Sequence, residues 1–285
     1  MTEMIFIAKP TWLTEKVYPG HRKFFQEFYP KLKEFHKVEI LDLPDIWVRD
    51  FLPVQNQKTG GLHQMFFAPR YANYTPQFNA LIRHTVHNCF PHAQPCDLRI
   101  DGGNIVLNPK RDTVFCFEKQ TIFRKSKPEE KQKTECALKT ALGVNQVVWL
   151  PRETDDKICH IDGYIHYLED VMCISDYDYW NNFPIWLKRN KILKNFVKEK
   201  NFIDFPYEID ENDYLSAKGI YVNFLETSRA VFLPQYNLHH DDKALEAAKL
   251  CTKKPIIKID CSKIAEYGGA VHCLTREYLG STIFN

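Results

Sequence analysis

Residues 266–278 read EYGGAVHCLTREY, from Glu266 to Tyr278, and place one cysteine directly after a glycine turn and a short β-prone run. Cys273 is the candidate nucleophile of the chain. Gly268 and Gly269 permit a positive φ or a close backbone approach, so a reacting group could come near the main chain here. If the run is extended, His272 and Cys273 point to opposite faces and cannot serve one pocket. A base for Cys273 then has to come from another part of the chain. An unpaired cysteine is also commonly a small buried hydrophobe, and the chain has nine, so spacing alone leaves both readings open.

Working back from that stretch, the same order of elements recurs. A helix over about 242–252 precedes a strand at 255–260 and the Cys273 segment. A basic amphipathic helix over about 184–200 precedes 219–225 and 230–234. A helix over about 128–142 precedes a strand at 146–150 and the His160 segment, and a helix over about 77–89 precedes 98–107. At the N-terminus a strand at 4–8, a helix over about 18–37 carrying Phe24, Phe28 and Leu32 at helical spacing, and a strand at 38–43 lead into Trp47-Val48-Arg49-Asp50. Strand, helix and strand thus occur five times, with polar motifs near Asp50, Asp101, His160, Asn223 and Cys273 at intervals of roughly 55 residues. Such a period implies units that bury their apolar faces only against neighbours. The charged runs 124–133 and 188–200 read as solvated helix faces and loop. With no low-complexity linker, residues 1–285 read as a single domain.

The bulk composition limits the function classes. A chain of 285 residues with 44% hydrophobic and 14% aromatic residues is a folded globule. A formal charge of +2, without a basic run interleaved with aromatics, does not describe a nucleic-acid groove. The nine cysteines form no CxxC pair, so neither a disulfide framework nor a zinc ribbon is expected, and a reducing cytoplasm fits best. The N-terminal MTEMIFIAKPTWLTEK lacks the basic start and apolar run of a signal peptide. No stretch approaches a membrane span. A soluble, cytoplasmic protein is therefore expected.

Each polar motif has an ordinary reading. Arg49-Asp50 could be a buried structural ion pair, and Asp101-Gly102-Gly103-Asn104 could be a plain turn. In a strand, His160 and Asp162 would share a face and set an imidazole beside a carboxylate. Tyr164, Tyr167 and Trp180 are placed in the core rather than in a pocket. Taken together, though, Asp50, Asp101, His160, Asp162 and Cys273 supply what guanidine chemistry needs. Carboxylates match a planar, permanently charged guanidinium. A thiolate can attack its central carbon, and a histidine can move the proton to the leaving amine.

With these residues the chain resembles the agmatine deiminase and bacterial-type peptidylarginine deiminase family of guanidine-modifying enzymes. The carrying segments are WVRDFLP (47–53), DGGN (101–104), HIDGYIHYLED (160–170), GIYVNFLETSRAVFLPQY (219–236) and GGAVHCLT (268–275), in the family's order. The resemblance implies an α/β fold of the pentein type, a five-bladed α/β propeller with pseudo-fivefold symmetry and its site in the central channel. It implies Cys273 as nucleophile, His160 as general acid and base, and Asp101 as the group orienting His160. Asp50 and Asp162 would clamp the guanidinium edges, with Trp47 and Asn223 contacting substrate.

The implied reaction is covalent hydrolysis of a guanidine to a ureido group with release of ammonia, needing neither metal nor organic cofactor. Agmatine or a related small guanidine is the first substrate, and an arginine side chain on a peptide the second. An amidinotransferase and a non-catalytic arginine-binding effector are further alternatives. Neither nucleic acid nor membrane is an expected partner, and a homodimer is left open. Leu52 stands where the family usually has Gly, and Ala270 where agmatine deiminases usually have Asn. The family's N-terminal Pro, Glu and Trp motif is absent, and the chain is shorter than typical members. These departures leave the chemistry intact and bear on which guanidine the pocket takes.

Overall fold

The structure, a computed structural model, describes residues 3–69, 71, 74–118, 128–152, 158–175, 183–196, 201–208 and 215–280. Its strands in chain order are β1 (Glu3–Ala8), β2 (Lys37–Leu41), β3 (Val54–Gln55), β4 (Leu62–Met65), β5 (Gln94–Cys96), β6 (Val106–Leu107), β7 (Thr113–Phe117), β8 (Gln146–Leu150), β9 (Ile165–Leu168), β10 (Val171–Ser175), β11 (Phe202–Phe205), β12 (Leu225–Glu226), β13 (Val231–Gln235), β14 (Ile256–Asp260) and β15 (Arg276–Leu279). They form five three-stranded sheets, ordered β15-β1-β2, β3-β4-β5, β6-β7-β8, β9-β10-β11 and β12-β13-β14. In every sheet the first strand pairs antiparallel with the second, and the second pairs parallel with the third.

A parallel pair needs a crossover, which a helix supplies. The five crossovers contain helices His21–Phe35, Pro76–Cys89, Pro128–Leu142, Phe183–Leu193 and Asp241–Cys251. Phe24, Phe28 and Leu32, four residues apart, put one buried stripe of the first helix against the core. The second helix begins at Thr75, whose hydroxyl accepts the Phe78 amide at 3.1 Å, with Pro76 in the first turn where its missing N–H costs nothing. The middle strands β1, β7 and β13 are buried along their whole length, as strands covered on both faces must be. Pairing of β15 with β1, in register Glu3↔Leu279 to Phe6↔Arg276, joins the two ends of the chain within one sheet. This is the five-unit pentein arrangement that the resemblance implies.

The helices and long strands expected from periodicity are present, but the segments carrying the polar motifs are not strands. Val48–Phe51 is a single helical turn, Gly102–Asn104 and Ile161–Gly163 are 3-10 turns, and 221–222 and 271–274 are turns as well. The expected strand over 98–107 is reduced to Val106–Leu107, and that over 219–225 to Leu225–Glu226. Each turn lies immediately before the first strand of a unit, so its backbone groups are spent on neighbouring turns instead of on a sheet ladder. Leu52 has φ −70°, a value open to any residue, so the family's Gly is not required there. Tyr164 and Tyr167 are buried against Phe117 and Phe115, as expected for core residues. Trp180 and residues 124–127 and 197–200 lie outside the described residues. Among the described residues, no helix is long and apolar enough to cross a membrane.

Candidate active site

Because the five turns occupy equivalent places in five units, they meet around the axis as a hydrogen-bonded ring. The Gly103 amide donates to Asp50 Oδ1 at 3.1 Å, and His160 Nε2 lies 3.1 Å from Asp101 Oδ2. Asn223 Nδ2 reaches the Asp162 carbonyl at 3.4 Å, and the His272 amide donates to the Asn223 carbonyl at 3.1 Å. The Arg49 amide closes the ring on the Cys273 carbonyl at 3.1 Å. The turns approach so closely that two of them need glycine. A Cβ on Gly103 would lie 2.5 Å from His160 Nδ1 and 2.7 Å from Asp50 Oδ1. Gly268 has φ +103°, and a Cβ on Gly269 would lie 2.5 Å from the Trp47 ring and 2.9 Å from Cys273 Cβ.

On one face of the ring, Cys273, His160, Asp50, Trp47 and Tyr71 line a single cavity of about 360 Å³. Four of these are the expected nucleophile, base, clamp and contact residue. Asp101 stands behind His160: its Oδ2 faces Nε2, and the Tyr71 hydroxyl lies 3.2 Å from the same nitrogen and 3.5 Å from Asp101 Oδ2. An ionised Asp101 is acceptor-only, so it fixes the proton of His160 on Nε2. Nδ1 is turned to the Asp50 side, 3.5 Å from Oδ1.

Asp162 and Asn223 sit differently from expectation. His160 and Asp162 do not stand side by side on a strand, because the intervening turn sends them to different partners. His160 faces Asp50 and Asp101, while Asp162 Oδ2 takes His272 Nδ1 at 2.7 Å and lies 3.7 Å from Cys273 Sγ. Asp162 is thus packed beside the sulfur and is 1% exposed. Asn223 serves the nucleophile loop: Nδ2 donates to Cys273 Sγ at 3.2 Å, and Oδ1 accepts the Ala270 amide at 3.2 Å. Arg49 and Asp50 divide as well. One residue apart in a helical turn, they diverge, and Arg49 pairs bidentately with Glu277 and donates Nε to the His272 carbonyl at 3.2 Å. His272 and Cys273 do face different cavities, as predicted, but through a turn and not an extended run; His272 lines one of about 420 Å³ on the other face.

The electrostatics follow from burial. Desolvation, and then the charges of Asp162 and Asp50, push the Cys273 thiol far above the usual thiol range, against the Asn223 and Ala270 hydrogen bonds. Burial works against the Asp162 charge too, but the His272 hydrogen bond, the His272 and His160 rings and the Arg49 guanidinium hold it below the usual carboxylate range. Burial and Arg49 hold His272 below its usual value despite Asp162. At neutral pH, a neutral His272 therefore donates Nδ1–H to an ionised Asp162. Two carboxylates thus face a protonated thiol.

A test follows from that thiol. Only thiolate is alkylated, so carbamidomethylation of Cys273 by neutral iodoacetamide is expected to quicken about tenfold per pH unit from roughly pH 7 to 9, without levelling. A plateau reached below pH 7 in peptide-mapped labelling would contradict the raised value.

Tyr71 was not legible as a site residue, nor were Tyr18, Tyr74, Phe78 and Glu266, which line the same cavity. Their clue was the aromatic spacing of 71–78 between strand and helix, which reads equally well as core.

Solved structures show the same fold. The C. jejuni agmatine deiminase with substrate bound superposes with a TM-score of 0.76 at 17% identity, covering 97% of this chain and 93% of that one. An agmatine deiminase of Enterococcus faecalis gives 0.74 at 16% identity, over 97% and 93%. In sequence, the agmatine deiminase of Pseudomonas syringae pv. tomato is 24% identical over 208 residues, 62% of this chain and 56% of that protein. The matched segment thus spans little more than half the length of that curated relative. A sequence family described as Porphyromonas-type peptidyl-arginine deiminase matches residues 14–278, nearly the whole chain, and it is to this family that the chain belongs.

Proposed function

We propose that the chain is a C–N hydrolase that deiminates a guanidine, with agmatine as first substrate. The observation that carries this reading is the convergence of Cys273, His160 and Asp50 on one cavity, with Asp101 behind His160. A guanidinium entering beside Asp50 brings a positive charge next to the sulfur and draws the Cys273 thiol toward thiolate. The thiol proton passes to His160. Sulfur bonds to the guanidinium carbon, a C–N bond breaks, and the departing nitrogen takes the proton from His160 and leaves as ammonia. The remaining adduct is a thiouronium cation on Cys273. Water, losing a proton to His160 Nδ1, then attacks the same carbon; the S–C bond breaks, the thiol returns, and a ureido product leaves with one proton released to solvent. Asp50 holds the guanidinium in line with sulfur, an orientation effect worth several kcal/mol. Asp162, beside the sulfur, is the proposed second clamp.

The cavity also bears on the substrate. Its rim carries the Glu266 carboxylate, which also pairs with Lys263 on the outer side, and among the described residues no Lys or Arg lines the cavity itself. Glu266 suits the terminal ammonium of agmatine, whereas the α-carboxylate of free arginine would find no cation among the described lining residues. The same lining favours one second reading, an arginine side chain within a peptide, which carries no α-carboxylate.

Ammonia release from agmatine, free arginine and an arginine-containing peptide, measured side by side, tests the assignment. The highest kcat/KM is expected with agmatine and the lowest with free arginine. Release from the peptide alone would move the activity to protein citrullination. Release only on adding an acceptor amine would make the chain an amidinotransferase, and binding without release would make it an effector.

A further inference from the structure

Away from the ring, Glu208, His239 and His240 bring three donor atoms together. Glu208 follows β11 and lies next to Tyr207, which forms an isolated bridge with Ile220. The two histidines precede helix Asp241–Cys251. His239 Nδ1 lies 3.2 Å and His240 Nδ1 3.3 Å from the same atom, Glu208 Oε2. All three donor atoms fall within 4.8 Å of one another. Although the separations are short, Glu208 Oε2 and His240 Nδ1 are both buried and make no hydrogen bond with the described residues. Buried polar atoms are costly when unsatisfied, and here two of them converge on one point.

The distances match what a small ion would impose. With Zn–N and Zn–O bonds of about 2.0–2.2 Å, ligand atoms on a tetrahedral ion stand about 3.3 Å apart. Imidazole with one carboxylate is a donor set for zinc and its first-row neighbours rather than for calcium or magnesium. The loop presenting the histidines is also held from behind. Asp241 Oδ1 accepts the Tyr221 hydroxyl at 2.7 Å and the Tyr236 amide at 3.0 Å, and Oδ2 accepts the Asn237 amide at 3.0 Å. Such outer contacts fix the orientation of ligands.

We propose that Glu208, His239 and His240 form a binding site for a zinc-like divalent ion, which ties the fourth unit of the fold to the fifth. The ion is bound through His239 Nδ1, His240 Nδ1 and Glu208 Oε2, and a water completes four-coordination. Its role is structural: it links the residue after β11 to the start of the helix that backs the β12-β13-β14 sheet. The site is separate from the chemistry at Cys273.

The test is titration of the EDTA-treated chain with Zn²⁺ by calorimetry, with Mg²⁺ as the hard-cation comparison, alongside thermal unfolding with and without Zn²⁺. One Zn²⁺ per chain is expected, with a higher unfolding temperature and no comparable uptake of Mg²⁺. Affinity should fall at least tenfold in His240→Ala and in Glu208→Gln, and persist in Cys273→Ala, which excludes capture by the active-site thiol. His239→Ala, at the most exposed of the three, tests the site where folding is not at risk. No Zn²⁺ uptake, uptake unchanged in the three ligand variants, or uptake lost in Cys273→Ala would each overturn the proposal.

Discussion

Ammonia release by Cys273→Ala is expected to fall by about 10⁴-fold or more relative to wild type, as loss of a covalent nucleophile does. The change should fall on kcat with little effect on agmatine binding, because Trp47, Asp50, His160 and Glu266 still line the cavity. The variant should remain folded. Sulfur is 3.2 Å from Asn223 Nδ2, but Asn223 Oδ1 still accepts the Ala270 and Cys273 amides and its carbonyl the His272 amide, so the nucleophile turn loses only one of its ties to Asn223. Calorimetric binding of agmatine to the variant, beside its ammonia assay, separates lost chemistry from lost structure. Wild-type turnover by Cys273→Ala would remove the covalent mechanism entirely.

The second large effect is on stability. Arg49→Ala is expected to destabilise the fold by roughly 2–4 kcal/mol, since removing one partner of a buried ion pair strands the other. Arg49 is 2% exposed, and its side chain holds Glu277 and the His272 carbonyl at once. About a fifth of the Glu277 side chain reaches the second cavity, which moderates the cost. Burial opposes the Glu277 charge, but Arg49 brings the carboxyl far below the usual range. A depressed carboxylate gives stability that is present above its unfolded value and lost as pH falls through the folded one. Acid therefore narrows the gap between wild type and Arg49→Ala. Pairing Arg49→Met with Glu277→Leu should recover much of the loss; denaturant midpoints of the single and double variants measure it. A double variant no better than Arg49→Ala would show that the contact to the His272 carbonyl matters more than the ion pair.

What the sequence made legible divides by physics. Helices and long strands carry their own evidence, because a stripe such as Phe24, Phe28 and Leu32, or an apolar run such as Thr113–Phe117, is a local pattern. The site motifs were found because they recur once per unit, although they were read as strand ends. Their true form, five tight turns, depends on hydrogen bonds between units, such as Gly103 to Asp50 and Arg49 to Cys273. No window of sequence contains such a bond. The same limit explains Asp162: a two-residue offset predicts a shared face only on a strand, and the turn instead gave Asp162 to His272 across 110 residues. Arg49, the partner of Glu277, was read with its neighbour Asp50 for the same reason. Tyr71 and Glu266 were hidden because an aromatic loop and an exposed acid look alike in every globular chain.

The central claim, that Cys273 sulfur attacks the guanidinium carbon, is tested most directly by acid-quenching the wild-type chain during turnover of agmatine and mapping its peptides by mass. The account predicts an added mass equal to agmatine less one ammonia on the peptide carrying Cys273, present during turnover and gone when substrate is exhausted. The same mass on another residue, with Cys273 unmodified throughout, would contradict it.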